Sequence, residues 1–357
     1  MSKNISRREA IRWMAMTAAA FLAACQKVTG LPGGVARTAT PSPTATQLPD
    51  PTTTPPTQIP QETKPTMESQ SMSIVFMTKS ISADGLMKIY ATLGRKPEGK
   101  VAVKISSGEP GGHYYLSPDL IAPLVSEVNG TIVECNTAYG GGRADTTSHL
   151  RVMEEHGFTA IASVDIMDAE GTLNLPIAGG RHLKEDVVGS HFANYDSVVN
   201  LAHFKGHAMG GFGGVIKNMS IGIASSMGKS LIHSAGKETT GYGLNTPQDD
   251  FLESMAEAAK GVADSKGGNI LYIDVMNHLS VDCDCDSHPA DPTMKDIGIL
   301  ASLDPVALDQ ACVDLVYAAP DGKDLIERME SRHAIHTLEH AEEIGLGSRK
   351  YERIDID

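Results

Sequence analysis

The chain of 357 residues has little positive charge, few aromatic residues and few cysteines for its length. Its 30 Lys and Arg residues are outnumbered by 44 Asp and Glu residues, so the formal net charge is −14 at pH 7. An acidic chain repels the phosphate backbone, and nucleic acid is therefore not an expected partner. The 5 cysteines contain no C-x₂-C-x₂-C run, so a ferredoxin-type domain is not expected either.

A long apolar run is also missing near the amino terminus. The apolar stretch 13–24 is too short for a transmembrane helix and has the length of the hydrophobic region of an export signal. Arg7 and Arg8 precede it as a twin-arginine pair, and LAAC at 22–25 resembles a lipoprotein cleavage box. Residues 1–25 therefore predict export across the cytoplasmic membrane and a membrane anchor of lipid on Cys25. The alternative is an ordinary signal peptide in which Cys25 is incidental.

Residues 26–71 are predicted to be a disordered tether rich in Pro and Thr. The stretch 41–67 contains eight Pro and eight Thr residues, a composition that cannot bury a core and stays extended in water. Such a tether would hold a folded part away from the membrane surface. The folded part is then residues 72–357, which are predicted to form a single domain.

Strand and helix patterns alternate along residues 72–357. Buried strands are predicted at 100–107, 130–135, 160–165, 197–202 and 269–275, and helices at 117–128, 145–158 and 249–265. Residues 296–317 have the pattern of strand, turn and helix, with Asp304 as N-cap and Pro305 at the first helical position. The alternation predicts an α/β fold, with a largely parallel or mixed sheet flanked by helices. In such sheets functional loops gather at the carboxyl ends of the strands.

The first unusual loop is NTAYGGGRADTT at 136–147, between a predicted strand and a predicted helix. Its glycines allow close approach of the backbone, and Arg143 adds a fixed positive charge. Gly141, Gly142 and Arg143 are therefore candidate anion-binding residues. The alternative is a flexible loop with a surface arginine.

The second unusual loop is the glycine-rich segment 202–222, which follows the predicted strand 197–202. Glycine at this density argues against a stable helix and allows the backbone to approach a ligand. Its polar residues are candidates for function rather than for packing. Lys205, His207 and Lys217 are candidate catalytic residues, and Asn218 is a candidate anion-binding residue.

The third segment, HLSVDCDCDSHPADP at 278–292, places two thiols among three carboxylates. A Cys-x-Cys pair such as Cys283 and Cys285 ligates Zn, Fe–S clusters or Cu(I) in many proteins. A disulfide between them is not expected, because the ring that it closes is small. A mononuclear Zn or Fe site is preferred over an Fe–S cluster, and an acidic loop with incidental thiols is the alternative. Residues that could complete the ligand set are His207, His288, His278, His203, Asp282 and Cys135. Cys312 lies in a helical apolar pattern and is expected in the core.

Three long segments resemble the domain of unknown function 362 family, in the order in which they occur in that family. They are VECNTAYGGGRADTTSHLRVMEEHGF, VVNLAHFKGHAMGGFGGVIKNMSIG and CDC followed by DIGILASLDPVALDQACVDL. The resemblance extends over approximately residues 100–345. It implies a site built from the loop with Lys205 and His207, the pair Lys217 and Asn218, and the Cys-Asp-Cys loop. It does not imply a particular reaction. The glycine-rich loop also weakly resembles that of lactate racemases.

Two classes of function fit these residues. The first is an enzyme dependent on a metal ion or Fe–S cluster, in which lysines and Arg143 would orient a small anionic substrate. His207 would move protons in such an enzyme. The second is a non-catalytic metal-binding or electron-transfer lipoprotein, and a structural α/β lipoprotein without metal is a further alternative. If the three loops line one pocket, as the sheet predicts, the enzyme is favoured.

Overall fold

A mixed sheet forms the centre of the protein in the computed structural model, which describes residues 72–241, 243 and 245–357. The predicted signal 1–25 and the predicted tether 26–71 lie outside the described residues. The strands are β1 (Ser73–Thr78), β2 (Val101–Lys104), β3 (Thr131–Glu134), β4 (Val164–Ile166), β5 (Thr172–Pro176), β6 (Glu185–Gly189), β7 (Ser197–His203), β8 (Lys205–His207), β9 (Gly211–Gly213), β10 (Ile270–Met276), β11 (Gly298–Ser302) and β12 (Tyr351–Asp355).

The strand order of this sheet is β12-β1-β11-β10-β7-β2-β3-β4. β11 is antiparallel to both of its neighbours, β1 and β10. The other strands of the sheet all run in one direction, because every remaining pairing is parallel. Two antiparallel pairs, β5 with β6 and β8 with β9, lie outside it. The predicted α/β fold with a largely parallel or mixed sheet is confirmed.

Helices cover both faces of the sheet. They are α1 (Ala83–Thr92), α2 (Pro118–Glu127), α3 (Thr146–Glu155), α4 (Val215–Met219), α5 (Ser226–His233), α6 (Gln248–Ser265), α7 (Pro305–Ala318), α8 (Lys323–Ser331) and α9 (Ile335–Glu343). Val199 and Leu201 of β7 belong to the apolar cluster with α1, α2 and α3, whereas Val198 and Ala202 belong to the cluster with α4, α6 and α7. This alternation is the two-residue period of a strand that is buried on both faces. No helix in the described part of the chain has both the length and the apolar character to cross a bilayer.

Side chains cap three helices, and the predicted cap Asp304 is one of them. The side chains of Ser117, Asp145 and Asp304 accept hydrogen bonds from backbone N–H groups in the first turns of α2, α3 and α7. These bonds satisfy donors that a helix leaves unpaired at its amino end. They fix where each helix begins, and therefore where the preceding loop ends.

Two local predictions were wrong. The strand predicted at 160–165 begins only at Val164, because a 3₁₀ turn, Phe158–Ala160, follows the left-handed Gly157 (φ 86°). The glycine-rich segment contains a helix, α4, although its glycine content argued against one. The carboxylate of Asp309 accepts hydrogen bonds from the N–H groups of Val215 (2.8 Å) and Ile216 (3.0 Å) and so stabilises the first turn of α4.

Candidate functional site

A cavity of about 610 Å³ lies at the carboxyl edge of β3, β2, β7 and β10. The loop after β3 contributes Arg143 to its lining, β8 contributes His207, and the loop after β10 contributes Cys283. The expectation that three separate loops line one pocket is thereby confirmed. The reason is topological, since the carboxyl ends of adjacent parallel strands lie at the same edge. Lysines supply most of the positive charge of the lining: Lys104, Lys205, Lys217 and Lys229.

Arg143 is paired with carboxylates of the chain itself. Its Nε lies 2.8 Å from Oε1 of Glu109, and its Nη1 lies 3.4 Å from Oε2 of Glu134. The backbone N–H of Gly142 donates to the same Glu109 carboxylate at 3.0 Å. Gly140 and Gly141 have left-handed backbone conformations, which glycine adopts without steric cost. The anion held by this predicted anion-binding loop in the structure is therefore Glu109.

Lys104 ends β2 with its ammonium group buried beside the cavity. Its Nζ donates to Oδ1 of Asn218 at 3.0 Å and to the carbonyl of Ile105, and it lies 4.0 Å from Oε2 of Glu134. Burial lowers the pKa of Lys104 to about 8, although the charge of Glu134 opposes this shift. A Cβ at Gly222 would lie 2.1 Å from the carbonyl oxygen of Asn218 and 2.7 Å from the same Nζ, so glycine is needed there.

Asn218, predicted to bind an anion, is occupied by protein groups. Its Nδ2 donates to Oδ1 of Asn200 at 2.7 Å and to the carbonyl of Lys104 at 3.1 Å. Its Oδ1 accepts from the Lys104 ammonium group. The amide therefore holds Lys104 in place, and its effect on a ligand would be indirect.

Lys217 is the half-buried lysine of α4 and lines the cavity. In the described part of the chain, no carboxylate lies within 4.0 Å of its Nζ, whereas Lys205 has such a partner in Asp284. Burial, together with the positive charges of Lys104 and Arg143, lowers the pKa of Lys217 to about 8. A neighbouring lysine, Lys229, donates to the carbonyl of Ala224. This part of the lining is consequently rich in positive charge.

Lys205 and His203 share one buried carboxylate, Asp284. The Lys205 ammonium lies 2.5 Å from Oδ1 of Asp284, and Nδ1 of His203 lies 3.0 Å from Oδ2. Burial alone would raise the pKa of Asp284, but the charges of His203 and Lys205 hold it well below its usual range. Lys205, predicted to be catalytic, is thus part of a buried ion pair that attaches β8 to the cysteine loop.

Gly206 allows β8 to lie directly against that loop. Its N–H donates to the carbonyl of Ser280 at 2.9 Å. A Cβ at this position would lie 2.3 to 2.6 Å from backbone atoms of Val281, which cannot move aside as a flexible side chain could. The glycine density of the segment is therefore in part a packing requirement of the cysteine loop.

Cys283, Cys285 and His207 have ligand atoms within 4.8 Å of one another. The two sulfurs are joined as a disulfide in the structure, so the expectation that this bond would not form was wrong. Both cysteines are half-buried and line the cavity. Once reduced, two thiolates and an imidazole are a donor set of the kind that holds Zn or Fe.

The hydrogen bonds of His207 decide which of its nitrogens carries the proton. Its Nδ1 accepts from the backbone N–H groups of Met209 (3.3 Å) and Gly210 (2.8 Å), so Nδ1 has no proton. Burial lowers the pKa of His207 well below 6.5, and the ring is neutral with its proton on Nε2. Most metal-binding histidines instead donate a proton from the second nitrogen. Cys283 and Cys285 are suited to bind a metal ion when reduced, whereas His207 in this tautomer is suited to donate a hydrogen bond.

The sequence also matches the model of a known family, described as Domain of unknown function (DUF362), over residues 101–314. The chain belongs to this family. The matched range contains every residue that lines the cavity. The site therefore lies within the part of the chain that matches the family. No curated protein matches the sequence.

Two solved structures are similar to this family member at low sequence identity. One is the lactate racemase apoprotein from Thermoanaerobacterium thermosaccharolyticum, with a TM-score of 0.41, 14% identity, and coverage of 68% of this chain and 56% of that chain. The other is a protein from Thermotoga maritima, with a TM-score of 0.39, 12% identity, and coverage of 73% and 58%. The chain thus spans less than two thirds of the length of either. Similarity at this level does not extend to function.

Two other predicted metal ligands lie apart from the triad of Cys283, Cys285 and His207. Cys135 is buried, its thiol donates to the carbonyl of Ile223 at 3.1 Å, and burial raises its pKa to about 12. His288 is exposed and contacts Ser287. As metal ligands both remain predictions. Cys312 is fully buried, as expected of a core residue.

The structure adds His233 of α5, which sequence reasoning missed. Its Nδ1 donates to the carbonyl of Lys229 at 2.7 Å, and this bond leaves the lone pair on Nε2. Burial lowers the pKa of His233 to about 4, so the ring is neutral near pH 7. His207 and His233 therefore present opposite tautomers in one cavity. The pair Lys229 and His233, four residues apart on a short helix after a glycine-rich loop, is the signal that could have revealed it.

Proposed function

We propose that this protein is an enzyme that binds a small substrate carrying a phosphate or carboxylate group in the cavity. Lys217 would contact the anionic group, with Lys104 and Lys229 supplying further positive charge. The single observation that carries the proposal is Lys217, a charged lysine in the cavity that has no carboxylate within 4.0 Å in the described part of the chain. A charge that is partly removed from water is costly without a partner, and a bound anion would supply one.

The two cavity histidines suggest how a substrate would react. His207, with its proton on Nε2, is suited to donate a proton to the substrate, and His233 lies in the lining of the same cavity. Both rings are neutral near pH 7 because burial lowers their pKa values. Two neutral imidazoles in one cavity support proton transfer as the reaction class.

We propose in addition that Cys283 and Cys285 bind a metal ion once they are reduced. Such an ion, Zn or Fe, would act as a Lewis acid that polarises the bound substrate. Cys283 and Cys285 line the same cavity as the lysines, and this position supports the first candidate function, an enzyme. Their partial exposure supports the second candidate, a non-catalytic metal-binding or electron-transfer protein.

Replacing Lys217 by methionine is expected to weaken the binding of inorganic phosphate and sulfate by about 10- to 100-fold. One hydrogen bond to a charged group contributes about 1.5 to 3 kcal/mol, and each 1.4 kcal/mol is tenfold in affinity. The protonated lysine binds the anion, and its pKa is about 8. The affinity for sulfate should therefore be highest well below pH 8 and should decline as the pH rises through 8. Isothermal titration calorimetry measures both effects.

The matched control is Lys323→Met, since that side chain is 78% exposed and lies outside the cavity. It should bind both anions as the wild type does. The proposal fails if Lys217→Met and the wild type bind with equal affinity. It also fails if the wild type binds neither anion.

We further propose that the protein is exported and anchored to a membrane by lipid on Cys25, as the sequence LAAC at 22–25 predicts. Dual or multiple acylation of one residue gives the stable anchoring that a single chain does not. In a bacterial host, Cys25→Ala is expected to move the protein from the membrane fraction to the soluble fraction. Immunoblots of the two fractions measure this, and an unchanged distribution would contradict the anchor.

A further inference from the structure

A second group of side chains that could hold a metal ion lies outside the cavity, at the corner between α8 and α9. Asp249 in the first turn of α6, His333 in the corner and His336 in α9 have ligand atoms within 4.8 Å of one another. We propose that these three residues bind a divalent transition metal ion of the Zn²⁺ class. The site is separate from the one that Cys283 and Cys285 would form.

The tautomer of His336 fits a metal ligand. Its Nε2 lies 2.9 Å from Oε1 of Glu253. The same oxygen accepts a hydrogen bond from Nη1 of Arg181 at 2.6 Å. A carboxylate oxygen paired with a guanidinium is ionised and only accepts, so the proton of His336 is on Nε2. Nδ1 then carries the lone pair. A carboxylate that orients an imidazole through its second nitrogen is the usual arrangement behind metal-binding histidines.

His333 and Asp249 complete the group from two other elements. Nδ1 of His333 lies 2.7 Å from Oδ1 of Asp249. The rings of His333 and His336 are stacked, with centroids 5.2 Å apart and an angle of 10° between their planes. His333 has a left-handed backbone (φ 51°), a conformation that costs a non-glycine residue energy and that concentrates at functional sites.

The donor chemistry decides the class of ion. Two imidazoles and a carboxylate suit Zn²⁺ and its neighbours in the first transition row, whereas Ca²⁺ and Mg²⁺ prefer oxygen ligands alone. A further carboxylate oxygen, Oε2 of Glu339, lies 3.6 Å from Nδ1 of His336. It is close enough to serve as a fourth donor after a small adjustment of an exposed side chain.

An ion at this corner would also support the cavity. A Cβ at Gly211, in β9, would lie 2.5 Å from Cβ of Ala334, so the hairpin that carries His207 packs tightly against the same corner. Gln248, next to Asp249, donates from Nε2 to the carbonyl of Met209 at 2.8 Å. The metal would link α6 to the corner and thereby hold the hairpin between them.

The test uses the full chain without a histidine tag, carrying Cys283→Ser and Cys285→Ser so that no thiolate of that pair contributes. This protein is expected to bind one Co²⁺ ion, displaceable by Zn²⁺, with a visible spectrum of nitrogen and oxygen ligands and no sulfur charge-transfer band. Adding His333→Ala and His336→Ala should weaken binding at least about 100-fold, since loss of an outer-shell partner alone costs about 10- to 100-fold. Asp249→Asn should weaken it as well.

The matched control is His191→Ala with His113→Ala, which removes two imidazoles elsewhere. His191 contacts two carboxylates, Asp165 and Glu170, but among the described residues it belongs to no metal-ligand group with a second histidine. The control should keep full affinity, and Zn²⁺ should raise the melting temperature of the control but not that of His333→Ala/His336→Ala. Equal metal affinity in all three proteins, or no binding in the Cys283→Ser/Cys285→Ser parent, would overturn the proposal. Circular dichroism in EDTA establishes that each variant is folded. Asp249→Asn tests the same site with both imidazoles intact and should also weaken metal binding.

Discussion

Replacing Asp284 by alanine is expected to lower the free energy of unfolding by about 3 to 5 kcal/mol, the range measured when one partner of a buried ion pair is removed. The carboxylate is buried and lies between Lys205 at 2.5 Å and His203 at 3.0 Å. Without it, the Lys205 ammonium, which is 1% exposed, loses its only carboxylate partner among the described residues. Urea unfolding followed by circular dichroism measures the loss.

Two further variants separate this cause from a general effect of changing the loop. Asp286→Ala, two residues away and exposed, should change the stability far less. Lys205→Met in the Asp284→Ala background should recover part of the loss, because it removes the charge that the first substitution leaves unpaired. If Asp284→Ala unfolds at the same urea concentration as the wild type, the ion pair does not stabilise the cysteine loop.

The central strands could be predicted from the sequence because both of their faces are buried. Residues 197–202 and 269–275 are nearly continuous apolar runs, and they became β7 and β10 within one residue. The reversed direction of β11 could not be predicted, since strand direction depends on pairing with β1 and β10 and leaves no local pattern. The three-residue strands β8 and β9 were missed because they are too short to show a period.

The site residues in the three unusual segments of the sequence were predictable, and those in ordinary strand and helix patterns were missed. A predicted strand precedes each of the segments that contain Arg143, His207 and Cys283. Because the carboxyl ends of parallel strands lie at one edge of a sheet, these residues were predicted to lie close together. Lys104 lies at the end of an apolar strand pattern, where nothing in the local sequence marks its Nζ as buried. The pairing of Arg143 with Glu109 was also hidden, because 34 residues separate them in the sequence.

The second large effect concerns the metal content. Under reducing conditions the full chain is expected to bind a metal ion through thiolates, and Cys283→Ser with Cys285→Ser is expected to abolish that binding. Oxidised protein should bind none there, because the disulfide removes both thiolates. Affinity should fall as the pH is lowered, since the ligands must be deprotonated. Elemental analysis and the sulfur charge-transfer band of the Co²⁺ form measure thiolate-bound metal independently of the site at the α8–α9 corner.

His207→Ala and Cys135→Ala then distinguish the remaining possibilities. His207→Ala should reduce metal affinity much less than loss of the cysteines, because Nδ1 of His207 already accepts two backbone N–H groups and Nε2 carries the proton. Loss of metal in Cys135→Ala would indicate a third thiolate and favour an Fe–S cluster, which needs about four ligands. Thiolate-bound metal that persists in the double serine variant, or its absence from reduced wild type, would leave the Cys-Asp-Cys run as an acidic loop whose disulfide borders the cavity.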